Sequence, residues 1–174
     1  MTIRKATEAE IPAVERIYDE IHTAEEAGEL TVGWARGVYP TRETAQAALL
    51  RGDLFVLEDG GEICGAAIIN RLQVDVYAGA PWAFAAEEGD VCVLHTLAVP
   101  PHFSGRGCGG AFLRFYEEYA RRNGLHALRL DTNARNMVAR AMYKRYGYRE
   151  AAVVPTVFNG ISGVELVLLE KALP

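Results

Sequence analysis

The sequence predicts a single α/β domain of the α+β kind: a mixed, mostly antiparallel central sheet flanked by helices on both faces. Three observations lead there. Residues 53–58 and 63–69 are apolar runs joined by Glu58-Asp59-Gly60-Gly61, a hairpin signal, so part of the sheet is antiparallel. Residues 91–99, VCVLHTLAV, are largely apolar on both alternating faces, which puts that strand near the middle of a sheet covered on both sides. Only one strand–glycine turn–helix unit and one further strand–helix pair follow, too few for a doubly wound parallel sheet.

Residues 2–6 read as a short strand. Thr7 with Glu10 forms a capping box, and Ile11, Val14, Ile17, Tyr18 and Ile21 recur at helical spacing until Ala27 and Gly28. Residues 30–40, LTVGWARGVYP, are an ordered loop; Thr41 caps a second helix over 42–50, and Gly52 closes it. The hairpin follows. Residues 72–90 break pattern, rich in Ala and Gly with Pro81, and bring Tyr77, Trp82 and Phe84 close together as a surface insertion or a substrate lid. After the strand at 91–99, in which Val91, Val93, His95, Leu97 and Val99 share one face, a helix covers 111–122 and a strand 126–131. Thr132 or Asn133 caps a helix over 134–145 that Gly147 stops. Strands at 148–158 and 164–170 are joined by NGISG.

A chain of 174 residues, half of them apolar, suits one domain spanning 1–174 with a full core. No apolar run is long enough for a membrane span, and the first residues lack a signal-peptide core, so the expected compartment is the cytoplasm. Cys64, Cys92 and Cys108 lack metal-ligand spacing, as do the four histidines, so no metal is expected. Net charge is −5 but uneven: residues 102–149 hold ten Arg or Lys against three Asp or Glu. That basic half suits an anionic small ligand. The basic residues are spaced along helices rather than massed, which argues against nucleic acid.

Four glycines among the six residues Gly105-Arg106-Gly107-Cys108-Gly109-Gly110 open the helix at 111–122. Glycine loses the most backbone entropy on ordering, so such a turn points to close approach of a ligand to bare backbone. Free N–H groups at a helix start suit a phosphate or pyrophosphate. The turn matches GxGxxG, and Asp131 ends the next strand where a ribose-binding acid would stand, but the further βαβ units of a dinucleotide domain are missing. The phosphate-loop motif is excluded because GK[ST] is absent.

LHTLAVPPHFSGRGCGGAFL and LRLDTNARNMVARAMYKRYGYRE together resemble the GCN5-related N-acetyltransferase (GNAT) family, through the strand, loop and pyrophosphate turn and then through Asn136, Ala139, Tyr143 and Gly147-Tyr148. The resemblance implies a GNAT-like sheet with a splayed parallel strand pair, and acetyl-CoA (coenzyme A) as acyl donor. It implies cofactor contacts from Leu97, Ala98 and Val99, from Ser104, Gly105, Arg106, Gly107, Cys108, Gly109, Gly110 and Ala111, and from Asn136 and Ala139. Ser104 stands where the family usually has Gln or Arg. The resemblance makes Tyr143 the general acid toward the departing thiolate; packing in the helix's last turn, with Met142 and Tyr146, is the competing reading. Asn136 is either a cofactor contact or a helix cap.

His95 is polar within an apolar strand, so it is a candidate base or water relay, or else a hydrogen-bonded core residue. Glu87, Glu88 and Asp90 could replace it, while His22 and His102 read as surface groups. Trp34, Tyr39, Tyr77 and Trp82 are the candidate acceptor-pocket aromatics. The hairpin at Phe158, Asn159 and Gly160 is suited equally to that pocket and to a homodimer contact. The expected activity is direct transfer of an acetyl or other acyl group to a primary amine of a small molecule or peptide. The alternative is a non-catalytic coenzyme A-binding or sensing domain on the same scaffold.

Overall fold

The computed structural model describes all residues, Met1–Pro174. Seven strands form one sheet: β1 (Thr2–Lys5), β2 (Leu54–Asp59), β3 (Glu62–Asn70), β4 (Val91–Ala98), β5 (Ala127–Asn133), β6 (Arg149–Phe158) and β7 (Ile161–Ala172). Their spatial order is β1-β2-β3-β4-β5-β7-β6, and every neighbouring pair is antiparallel except β4–β5. Four helices cover it: α1 (Ile11–Glu26), α2 (Arg42–Arg51), α3 (Cys108–Arg122) and α4 (Met137–Arg145).

One face is packed by α1 and α2, whose Val14, Ile17, Tyr18 and Ala45 meet Leu54, Val56 and Ile68. The other is packed by α3 and α4, whose Phe112, Leu113, Tyr116 and Tyr143 meet Phe55, Cys92, Leu94 and Leu130. Residues 72–90 hold short 3-10 turns and cover the rest of the first face, where Tyr77 packs on Val91, Val93 and Leu168. This segment is pinned rather than lid-like. The buried carboxylate of Glu170 accepts from the backbone N–H of Ala83 (2.8 Å) and Phe84 (3.2 Å), and Arg129 stacks on Trp82.

Three boundaries differ from the sequence expectation. Helix α3 begins at Cys108 rather than 111, because Gly107 (φ 84°) turns left-handed and serves as its N-cap. Helix α4 begins only at Met137, since β5 continues to Asn133 and the Asn136 side chain caps the helix by accepting from Ala139 N–H at 3.1 Å. The last hairpin turns on Asn159-Gly160 alone, both at positive φ, so β7 resumes at Ile161.

The fourth difference positions the site. Thr96 adopts φ 49°, and the β3–β4 register slips there, with Ile68 opposite His95 and Ala66 opposite Ala98. Two β4 residues, Thr96 and Leu97, therefore face one on β3, which is a β-bulge. Side-chain alternation reverses beyond it. Leu97 and Val99 pack on the α3 face with Cys92 and Leu94, whereas Ala98 packs on the α1 face. The expected single face from Val91 to Val99 breaks at this point. Pairing between β4 and β5 also stops at Leu94 and Leu130, although both strands run on, to Ala98 and Asn133. The parallel pair splays.

Candidate active site

A cavity of about 480 Å³ occupies the splay. Its floor is Thr96, Leu97 and Val99 on one side and Asp131, Thr132 and Asn133 on the other. The glycine turn forms one end. Gly105 and Gly107 have φ 76° and 84°, and neither has an atom within 4 Å of where a Cβ would stand, so the turn offers open backbone. Arg106 N–H reaches Phe103 O at 3.4 Å and Ala111 N–H reaches Gly107 O at 2.9 Å. Between them the amides from Gly107 to Gly110 have no carbonyl partner and stand at the positive end of a fifteen-residue helix. That is an anion cradle. At Gly109 a Cβ would press on Met142 Sδ at 2.7 Å, and at Gly110 it would run into the Tyr146 hydroxyl, so α3 and α4 close together there only because both residues lack side chains.

Most of the predicted cofactor residues line this cavity: Leu97, Val99, Ser104, Gly105, Gly107, Cys108, Gly109, Gly110, Asn136 and Ala139. Three do not. Ala98 is turned to the α1 face by the bulge, Arg106 lays its guanidinium over the Phe103 ring at 5.0 Å, and Ala111 packs on the core with its amide already used.

The middle of the cavity holds the titratable groups. Tyr143, on α4, is buried against Tyr148 yet reaches the cavity wall. Burial, and secondarily the charge of Asp131, raises its phenol well above the ordinary range, so it stays protonated. Asp131 lies at the end of β5 where pairing with β4 has ceased. It is half-buried and lines the cavity; desolvation pushes its pKa up to about 6, opposed by a 2.7 Å hydrogen bond from the Tyr77 hydroxyl.

His95 is not brought to this cavity. It precedes the bulge, faces the α1 side, and bonds Asn70 Oδ1 at 3.0 Å. Burial lowers its pKa to about 4, leaving a neutral ring. Glu87, Glu88 and Asp90 are exposed outside the cavity. His22 is buried, not a surface group: its Nε2 donates to Pro40 O at 3.0 Å. His102 is exposed and bonds Glu20.

The far end is aromatic. Trp34 and Tyr39 line it, together with Phe158, in a chain of edge-to-face contacts, and the Tyr39 hydroxyl is hydrogen-bonded to that of Thr96. The loop between α1 and α2 lies close over β5: a side chain at Gly33 would collide with the amide of Asn133. Tyr77 and Trp82 stand outside the cavity. Tyr77 donates its hydroxyl to Asp131 on the α1 face of the sheet, and Trp82 Nε1 donates to Tyr77 O at 2.9 Å. Asp131, Thr96 and Gly33 are the site residues that sequence reasoning did not assign to this chemistry. For Asp131 the available signal was an acid at the end of an apolar strand, read there only as a ribose contact.

The sequence model of the Acetyltransferase (GNAT) family matches residues 13–148. An uncharacterised N-acetyltransferase of Methanocaldococcus jannaschii is 34% identical over 98 residues, covering 56% of this chain and 42% of that protein. The crystal structure of a GNAT-family acetyltransferase from Streptococcus agalactiae superposes with a TM-score of 0.82 at 24% identity, covering 99% of this chain and 95% of that one. The yncA protein of Salmonella typhimurium, solved with its cofactor acetyl-CoA, superposes with a TM-score of 0.69 at 21% identity, over 99% and 94% of the two chains. The structural likenesses establish the shared fold.

Proposed function

Since the chain belongs to the GNAT acetyltransferase family, we propose that it transfers an acyl group, acetyl in the first instance, from a coenzyme A thioester directly to a primary amine of a small molecule or peptide. The observation that carries this reading is the continuity of one cavity from the unpaired amides of Gly107 to Gly110 to Tyr143 and Asp131.

The residues fit the cofactor on physical grounds. The amides and the α3 dipole suit a pyrophosphate, and the edge of β4 left unpaired past Leu94 suits an extended arm with amide groups. Bound there, coenzyme A supplies the activated acyl group as a thioester. Leu97 and Val99 would give that arm an apolar wall, with Tyr143 lining the same cavity.

Asp131 acts on the acceptor. With a pKa of about 6 it is ionised at neutral pH, attracts an ammonium group, and takes the proton that must leave before nitrogen can attack. Tyr143 acts on the leaving side. Its phenol is protonated throughout the physiological range, so it enters each turnover able to donate a hydrogen bond or proton to a developing thiolate. The base is assigned to Asp131 rather than to His95, whose ring is turned away and whose pKa is too low.

The test pairs calorimetry with coenzyme A and thiol release from acetyl-CoA across a panel of amines. Amine-dependent release supports transfer. Tight binding with no release from any amine supports the non-catalytic alternative instead, and absence of binding removes both.

A further inference from the structure

We infer that the acceptor is a cationic primary amine on a flat apolar body, carrying no carboxylate or phosphate near its nitrogen. This rests on the acyltransferase reading and narrows it. Of the residues lining the cavity only Glu29, Asp131 and Arg145 are charged. Arg145 is adjacent to Tyr146, whose hydroxyl lies over Gly110, so it belongs to the glycine-turn end. The acceptor end keeps two carboxylates and no cation.

The neighbouring arginines are already engaged. Arg36 is drawn away by Asp19, by Glu26 at 2.9 Å and by the Thr23 hydroxyl at 2.8 Å. Arg135 is exposed beside Glu25 at 3.6 Å. The same Glu25 accepts from Val32 N–H (2.7 Å) and Gly33 N–H (3.1 Å), which fixes the loop that presents Trp34. The wall is therefore held in place. Trp34 meets Tyr39 edge-on with centroids 6.3 Å apart, Tyr39 meets Phe158 at 5.6 Å, and Thr96 holds the Tyr39 hydroxyl.

Such a chamber treats charges unequally. Aromatic faces attract a cation, and Asp131 gives it a counter-charge deep in the site. A carboxylate on the carbon next to nitrogen would be desolvated with no cationic partner, beside a carboxylate of like sign. Flat apolar groups, by contrast, meet rings already ordered, so little side-chain entropy is lost on binding.

The test is a matched pair differing only in that carboxylate: 2-phenylethylamine against phenylalanine, each with acetyl-CoA, and each titrated calorimetrically into the protein saturated with coenzyme A. We expect kcat/KM to favour 2-phenylethylamine by roughly a hundredfold or more, the range for one buried charge left unpaired. Phe158→Lys, which plants a cation on the chamber wall, is expected to cut that ratio at least about tenfold by improving phenylalanine. Turnover with phenylalanine at parity overturns the inferred acceptor class and leaves acyl transfer standing. Binding of 2-phenylethylamine without turnover of any amine overturns acyl transfer and leaves the ligand class standing. If 2-phenylethylamine neither binds nor reacts while another amine does, the acceptor class is wrong.

Discussion

Replacing Tyr77 by Phe removes one hydrogen bond and little else. The residue is buried, its ring packs against Trp82 with centroids 5.3 Å apart, and phenylalanine fills the same ring volume. What goes is the 2.7 Å bond from the Tyr77 hydroxyl to Asp131 Oδ2, the one feature that opposes the desolvation of that carboxylate. A hydrogen bond to a charged group is worth about 1.5–3 kcal/mol net, and one pH unit of pKa corresponds to about 1.4 kcal/mol, so the Asp131 pKa should rise by roughly one to two pH units from about 6. Because Asp131 must be ionised to take a proton, kcat/KM falls as pH drops through its pKa. In Tyr77→Phe that acid limb should move to higher pH. At pH 6.5 the variant should be slower by roughly three- to twenty-fivefold, and by pH 9 the two proteins should converge. The acceptor's own ammonium titrates alike in both, so the difference between the profiles isolates Asp131. The assay is thiol release at subsaturating amine from pH 5.5 to 9.5. An acid limb that does not move, or a loss of equal size at every pH, would refute the assignment of Asp131 as the base that Tyr77 holds.

Three further outcomes can be measured. Tyr143→Phe should lower turnover about 10²-fold or more, in the range for losing a general acid, with coenzyme A affinity in calorimetry unchanged. Gly107→Val should weaken coenzyme A binding at least about tenfold, because it puts a branched side chain at φ 84° into open space where the anion belongs; native circular dichroism with unchanged affinity would show the turn to be structural only. Asp131→Asn should lose activity yet stabilise the fold. The Asp131 pKa is raised from 3.8 to about 6 in the native protein, so its burial is a cost fully present above pH 6, shrinking as pH falls from there, and gone once pH is well below 3.8. The variant should therefore gain at most about 3 kcal/mol at pH 7.5 and only about 0.5 kcal/mol at pH 4, read as the difference in Tm between the two proteins at each pH.

Local signals made much of this molecule legible in its sequence. The Asp59-Gly60-Gly61 turn, the Thr41 cap and the closing Gly52 are decided by neighbouring residues, and each appears as expected. The glycine turn was readable for the same reason, since four glycines at a strand–helix junction constrain the backbone whatever surrounds them. The acceptor half was not. Tyr77 and Trp82 looked like pocket residues because they are aromatic and close in sequence, but Glu170, 86 and 87 residues away from the amides it accepts, ties their segment to the back of the sheet. His95 looked like a base because it is polar in an apolar run. Asn70, across the β3–β4 pair, supplies its partner. Asp131 was legible only as a ribose contact, because nothing near it in sequence reports that β4 stops pairing with β5 four residues into each strand.

The bulge at Thr96 accounts for much of the site at once. A β-branched residue at φ 49° is strained by about 1–3 kcal/mol and persists only when its surroundings over-determine it. The β3–β4 register slips at this residue, and the pairing of β4 with β5 has ended just before it, so the bend that a bulge imposes coincides with the start of the opening. The same residue exchanges the two faces of β4 beyond it, so that Leu97 and Val99 line the cavity and Ala98 seals the α1 side. It also turns its hydroxyl to Tyr39, which ties the acceptor loop to the strand that bears the opening. Strain at Thr96 and the buried charge of Asp131 thus lie across the same gap, one on each strand, while the core on either side of the sheet is closely packed. Because β4 and β5 part beyond Leu94 and Leu130, the Asp131 carboxylate stands on a cavity wall rather than beside a paired strand.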